Sequence, residues 1–489
     1  MNKTNTKVIT NILKNDVSFF TDDLNITSVY VEYPLITGHT AFVPVESVLF
    51  RAFLSHRYRE RTNSPRRPRD LFDYLAAKVD DVLYEQPSRV HIHRRVAGTL
   101  ASNIYYFLAN DNWEAVRVTT KEWKVGHSKK VKFLKAAADK AQVTPVGGGN
   151  LLDLLRPFIN LPKDDFILFT TLLVQGFSRS SSHYAAIISS NKGTGKSTLT
   201  KMIRSIIDPS ESETPLTPTS EDNLKVLLSN TYLACFDNTA SMSAKFSDIL
   251  CAAITGTKEA KRKLYSDCDQ IILNLHNLVV INGIDIVPHR SDLADRSLLF
   301  ELRPIKKEKR RTDADIWSSF EAKKPQIIGA IFDTLVKAMN ILPTLTFVEL
   351  ERMADAYAEM TAIAVALGVS QKEFQRIFAQ NKDKLQDAYN ESNQFVETVV
   401  AYMKTRGKVD MAADALYKDI LKNCDYYKGF PESGSALSRR LNLEKDALAA
   451  AGYDFRRERK GDHNHLIISR IPQNQQTKAQ REATERRAN

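Results

Sequence analysis

Apolar positions along this chain switch between two spacings, every second residue for a half-buried strand and every third to fourth for a helix. Between 1 and 150, short strand-like runs such as Ser28-Val29-Tyr30-Val31-Glu32-Tyr33 and Arg89-Val90-His91-Ile92-His93 mix with helical stretches, which predicts an α+β N-terminal domain. The run Gly147-Gly148-Gly149 reads as a flexible break and sets a boundary near 150. After it Leu151, Leu154, Leu155 and Phe158 fall at helical spacing, and from about 184 to 305 apolar strand-like runs alternate with helical ones. That alternation predicts an α/β domain over 151–312, a parallel sheet with crossover helices. A helical region is expected over 313–392, with Trp317, Phe320, Ile327, Ile331 and Leu335 on one face.

The last unit, 393–472, opens with helical spacing at Phe395, Val396, Val399, Val400 and Met403 and continues through Leu416, Ile420 and Leu421. A third helix is expected from Ser435 to Leu448, then two strand-like runs, 453–457 and 466–469, joined by a Gly461-Asp462 turn. Three helices and a basic hairpin describe a winged helix. The polar, basic tail 473–489 is expected to be disordered.

The strongest chemical signal follows the apolar run Tyr184-Ala185-Ala186-Ile187-Ile188 at once. There Ser190-Asn191-Lys192-Gly193-Thr194-Gly195-Lys196-Ser197 is followed by Thr198 and by Leu199, Met202, Ile203, Ile206 and Ile207 in helical period. Strand, glycine loop and helix in that order form a P-loop. Backbone N–H groups converge on the phosphates of ATP at a helix N-terminus, Lys196 adds a cation, and Ser197 offers Mg²⁺ a hydroxyl. Ser190 stands where the common pattern has glycine. A second buried run, 232–236, ends in Asp237-Asn238, where a nucleotide-hydrolysing sheet places the carboxylate that holds Mg²⁺. Many such motors carry a second acid where Asn238 stands, so the base that polarises water is left unassigned. A third run, Leu278-Val279-Val280-Ile281, ends in Asn282-Gly283, either a turn or an amide that positions water.

Lys258, Lys261, Arg262 and Lys263 crowd beside Tyr265, a mix suited to phosphate contact and base stacking, or to a solvated basic helix. Arg296, in Asp292-Leu293-Ala294-Asp295-Arg296, is either an arginine finger for a neighbouring subunit or the partner of Asp295 on the surface. Segment 51–70 holds seven arginines against Glu60 and Asp70, and its Ser64-Pro65-Arg66-Arg67-Pro68 part is excluded from helix by the prolines. It is a solvated linker or a nucleic-acid contact. The pairs His91/His93 and His463/His465 each share a strand face but lack a clustered third ligand.

Composition narrows the class rather than choosing it. At 489 residues a chain with 43% hydrophobic and 26% charged residues is folded and multidomain. Its net charge of +11 favours a polyanionic partner, since Lys and Arg release counterions from phosphate backbones. The four cysteines show no CxxC spacing, which argues for a reducing, cytoplasmic compartment, and no apolar run reaches the length of a membrane span.

Five segments in order resemble the superfamily-3-like AAA+ helicases found at the C-terminal end of phage and mobile-element primase–helicases. They are 191–198, Phe236-Asp237-Asn238, Arg262-Lys263-Leu264-Tyr265-Ser266-Asp267, Val280-Ile281-Asn282-Gly283-Ile284 and Asp292-Leu293-Ala294-Asp295-Arg296-Ser297. The likeness extends through 150–158 and Arg352-Met353-Ala354-Asp355. It implies an AAA+ core in a ring, usually hexameric, that hydrolyses ATP between subunits and pulls on single-stranded DNA. By resemblance, Lys196, Ser197 and Asp237 hold nucleotide and Mg²⁺, Asn282 is the sensor and Arg296 acts in trans. Arg262 and Lys263, with Lys261, would sit on a pore hairpin. No primase–polymerase module is recognisable in 1–150, so any primase would be a separate partner. The winged helix would present Arg439 and Arg440 to a major groove, and Arg456, Arg457, Arg459 and Lys460 to phosphates, unless it docks protein instead. The function expected is a DNA helicase or replication initiator of a phage or mobile element. The alternative is an AAA+ loader or regulator that binds DNA without unwinding it.

Overall fold

The computed structural model describes residues 3–85, 89–190, 193–212, 218, 220–239, 242, 244–262, 270–283, 291–424 and 430–472. Asn191, Lys192, Lys263 and the 473–489 tail lie outside them.

The first unit is a four-stranded sheet backed by helices. Strands Ser18–Asp22, Val29–Pro34 and Thr40–Pro44 form an antiparallel meander, and Arg89–Val90 joins the first of them in parallel. Helices Lys3–Asn15, Val48–Thr62 and Leu71–Glu85 pack on it through Ile9, Phe50, Leu54 and Leu75, which are buried with Val31. The arginine-rich segment is therefore helical up to Thr62, where Asn63 closes the helix at φ 47°, and non-helical only across the prolines.

Residues 96–126 do not belong to that core. Their antiparallel strands, Val96–Ala97, Ile104–Phe107, Ala115–Val118 and Trp123–Gly126, feed Tyr106, Val116 and Val118 into the large central cluster. Tyr106 packs 4.8 Å from Phe177, centroid to centroid. The glycine run is docked rather than free. The Val146 N–H donates to the Pro325 carbonyl (2.9 Å) and the Gly148 N–H to the Asp333 carboxylate (2.7 Å). A Cβ on Gly329 would meet the Val146 carbonyl oxygen at 1.9 Å, so the approach needs a glycine there. A boundary at 150 therefore does not coincide with a break in the core.

The central sheet is built from β1 (Ala185–Ser189), β2 (Leu233–Phe236), β5 (Leu278–Gly283) and β6 (Ser297–Glu301), in the order β2-β5-β1-β6 with every pair parallel. Their near-continuous apolar runs are those of strands covered on both faces. Ile187 and Ile188 are wholly buried, each contributing about 1.5–3 kcal/mol. Between these strands lie α1 (Lys196–Ile207), α2 (Glu221–Asn230), α3 (Ala244–Thr255) and an antiparallel hairpin of β3 (Thr257–Arg262) and β4 (Gln270–Leu275). Helix α4 (Asp313–Ile341) buries Phe320, Ile327, Ile331 and Leu335 in the same cluster, so the helical region shares the sheet's core.

Helix α5 (Gln371–Lys404) runs from that cluster, through Phe374 and Phe378, into a second one through Phe395 and Val399. The expected boundary at 392/393 thus falls inside one continuous helix. The last unit also holds helix Ala413–Asn423 and a hairpin of Tyr453–Lys460 with His463–Arg470. Two features differ from expectation. The third helix is split at Glu444 into Gly434–Leu443 and Lys445–Ala450, and a further strand, Lys408–Ala412, pairs with His463–Arg470.

Candidate nucleotide site and nucleic-acid surfaces

The carboxyl end of β1 turns directly into the glycine loop. Gly193 and Gly195 sit at φ 76° and 88°, a region that strains any residue with a Cβ. Space alone would admit a side chain at Gly193, where a Cβ would meet nothing within 4 Å, so the backbone conformation dictates the glycine. Gly195 caps α1, and Leu199, Met202, Ile203, Ile206 and Ile207 bury one face of that helix against the sheet. Lys196, at the first helical position, reaches back so that its ammonium donates to the Ser190 carbonyl and lies 3.3 Å from the Ser190 hydroxyl. That hydroxyl also bonds Thr194. Ser190, the departure from the usual glycine, thus serves as a strut of the loop.

One residue further on, the Ser197 hydroxyl donates to the Asp237 carboxylate at 3.0 Å. β2, which ends at Phe236, is separated from β1 by β5, so α1 must bridge about 9.6 Å of sheet, two strand spacings, for this contact to form. Asn282 fills the gap. Its side-chain oxygen accepts from the Asn238 N–H (2.9 Å), and its amide donates to the Thr200 hydroxyl (2.6 Å), which donates in turn to the Lys196 carbonyl (3.1 Å). The Asn282 carbonyl takes the Thr239 N–H (2.9 Å). One buried amide therefore ties the ends of β2 and β5 to α1. Asn238 turns the chain at φ 54°, a conformation asparagine tolerates better than most residues, and its side chain is exposed.

Arg296 lies elsewhere. Its carbonyl accepts from the Ala185 N–H (2.9 Å), at the opposite edge of the sheet and about 16 Å, one strand length, from the loop. Its guanidinium pairs with Asp292 and donates to that residue's carbonyl (2.9 Å), while Asp295 pairs with Arg352 (3.2 Å). The local partner is thus one helical turn back rather than adjacent. The Arg296 hydrogen bond holds the Asp292 carboxyl below its ordinary range.

Sequence reasoning missed the cavity of about 780 Å³ that borders Gly193, Gly195 and Thr198. Its far wall is Phe158, Asn160, Arg303 and Ile305. Asn160 locks this wall through its carbonyl, which takes the Arg303 N–H (3.1 Å), and its amide, which donates to the Arg303 carbonyl (2.7 Å). Apolar surface with a few fixed polar groups suits a base and ribose beside the phosphates. The helical spacing at Leu151–Phe158 was legible, but not that it would face the loop.

The basic candidates divide. Lys261 is paired with Asp222 of α2 (3.0 Å), and Glu259, on the same face of β3, with Lys225 (2.6 Å). This face is turned to α2 rather than outward, so Lys261 is not the free cation expected. Lys258 projects from the opposite face and is exposed. The Arg262 backbone pairs with Gln270. In the last unit Arg439 and Arg457 are exposed. Arg440 is not: it pairs with buried Glu444 (3.1 Å) and lies over the Phe395 ring (5.6 Å), where it fixes the helix break. Lys460 pairs through its backbone with His463 at the far end of the hairpin.

Residues 152–387 match the model of a family described as actinomycete integrative conjugative element replication protein. Among solved structures, an apo form of the NrS-1 C-terminal region aligns over 95% of this chain and 98% of its own, at 10% identity and a TM-score of 0.37. An inhibitor-bound JCV helicase aligns over 48% of this chain and 60% of its own, at 11% identity and a TM-score of 0.25. Comparison with curated proteins finds no match.

Proposed function

We propose that this chain is an ATP-hydrolysing DNA motor of the replication machinery of a mobile element, a P-loop AAA+ helicase working as a ring, with a C-terminal winged helix. The observation that carries the reading is the Ser197–Asp237 contact of 3.0 Å under a loop that needs two left-handed glycines. A hydroxyl and a carboxylate side by side are hard oxygen donors that fit Mg²⁺. When bound, Mg²⁺ neutralises charge on the phosphate oxygens. The chain's own groups do the rest: loop N–H groups and Lys196 bind phosphate, and the cavity beside Gly195 holds base and ribose. Asn282, anchored through Thr200, sets the spacing between loop and carboxylate. The family matched by 152–387 supports a role in replication, and the net charge of +11 supports DNA as partner.

Arg296 would complete the site of a neighbouring subunit, because the sheet separates it from its own. A second reading, a DNA-binding AAA+ switch that does not unwind, draws on one observation: Asn238 offers no carboxylate beside Asp237. Phosphate release measured with and without single-stranded DNA, followed by strand displacement on a forked duplex, decides between them. DNA-stimulated hydrolysis with displacement supports the helicase. Stimulation without displacement favours the switch, and no hydrolysis above that of Lys196→Ala removes both.

A further inference from the structure

A second pocket, of about 280 Å³, lies at the root of the β3–β4 hairpin, where segments far apart in sequence converge. His93 comes from the first strands, Arg179 and Ser181 from the turn before β1, Lys258 from β3, and Asn274 and His276 from the end of β4. Every one of these side chains can donate a hydrogen bond. On the rim His91 is bonded to Asp23 (2.9 Å). Gly256 makes the close approach possible: it sits at φ 77°, and a Cβ there would lie 3.4 Å from the His276 ring.

The electrostatics of this pocket are unbalanced. Arg179 lies over the Tyr232 ring (5.3 Å), and no carboxylate among the described residues pairs with it. The Nε2 of His276 is buried without a partner, as is that of His183, whose ring lies 5.6 Å away. A buried guanidinium, imidazole nitrogens without partners and an exposed ammonium around one cavity describe a receptor for a multiply charged oxyanion.

We propose that this pocket binds a backbone phosphate of single-stranded nucleic acid at the hairpin root, through Arg179, Lys258 and His276. The proposal rests on the DNA-motor reading for its source of phosphate. Two features favour a strand over a free anion. One wall of the pocket is the hairpin itself, and its volume exceeds the roughly 30 Å³ that a water-sized group takes up, leaving room for the ester neighbours of a diester. Burial and the nearby Arg179 hold His276 down to about 4 and, with His91, His93 down to about 3, so both imidazoles are neutral donor–acceptors at neutral pH. An arriving phosphate offsets the positive potential that keeps them so.

The test uses the full chain with ¹³C-labelled histidine and fluorescein-labelled dT20. Wild type is expected to bind dT20, with the His93 and His276 imidazole signals moving on titration. Lys258→Met and His276→Gln are each expected to weaken binding about tenfold and to lower the salt slope by about 0.7 per phosphate lost. Lys258 is exposed, so its variant reads binding without a folding cost. Wild-type binding with both variants unaltered overturns the pocket alone and leaves the motor reading intact. Imidazole signals that move with inorganic phosphate but not with dT20 overturn the strand as source. No binding of dT20 by wild type overturns the pocket together with the DNA part of the motor reading, while Lys196-dependent ATP hydrolysis still reports on the nucleotide site.

Discussion

Asn282→Ala removes the side chain that ties three elements at the nucleotide site. Two hydrogen bonds are lost, from the Asn238 N–H (2.9 Å) and to Thr200 (2.6 Å), while the backbone bond from Thr239 to the residue-282 carbonyl (2.9 Å) survives. At about 1 kcal/mol net each, the local cost is about 2 kcal/mol. Hydrogen exchange reads this as about 30-fold faster opening in peptides covering 196–207 and 233–239, with the last unit unchanged. Thr200→Val keeps the volume and removes one of the two bonds, so about fivefold is expected there. Because the same tie sets the Ser197–Asp237 distance, ATP hydrolysis should fall in both variants, and more in Asn282→Ala. Hydrolysis lost in Asn282→Ala with exchange within threefold of wild type would refute the reasoning, since the amide would then act on nucleotide alone.

Mixing Arg296→Ala with Lys196→Ala subunits should restore part of the hydrolysis that each lacks; intact rings with no recovery would count against action in trans. Glu359 is buried, accepts from Ser178 (3.0 Å) and the Leu100 N–H (3.3 Å), and is pushed up to about 7 by burial. A folded carboxyl pKa above the unfolded one contributes stability at low pH that is lost as pH rises through 7, so Glu359→Gln should raise Tm at pH 8 and leave it unchanged at pH 4. In the last unit Arg457→Ala should leave Tm unchanged and weaken duplex binding with a salt slope smaller by about 0.9. Arg440→Ala should instead cost about 3 kcal/mol, because Glu444 is left buried without its cation; equal Tm values for the two would contradict the geometry.

What was legible in the sequence was whatever rests on local order. The 184–188 run, the glycines at 193 and 195 and the helical period through Ile207 specify strand, turn and helix without help from distant residues. Ser197 and Asp237 were paired by chemistry, because a phosphate site needs both. The rest depends on contacts no local pattern encodes. The break expected at Gly147–Gly149 failed because those glycines dock on α4 through Val146 and Asp333, partners about 180 residues away. Lys261 looked like a free cation until α2 brought Asp222 beside it, and Arg440 until Glu444 and Phe395 closed over it. Arg179 gave no signal at all, since its setting is assembled from several separate segments.

The sheet's two edges carry different charges of duty, and β1 joins them. Its last residue leads into the phosphate loop and its first, Ala185, is bonded to the Arg296 carbonyl. For Arg296 to serve a neighbouring subunit its guanidinium must leave Asp292, and an abandoned carboxylate would normally make that costly. Here Asp292 is already held by Arg352 at 2.8 Å, in a half-exposed setting. Release would therefore leave neither charge stranded: Asp292 keeps a cation, and Arg296 exchanges one oxyanion for another. Its buried Nε, without a partner in the isolated chain, would gain an acceptor in the exchange. The Asp292–Arg296 pair is in this sense a holding position, and removing Arg352 should make Arg296 harder to release rather than easier.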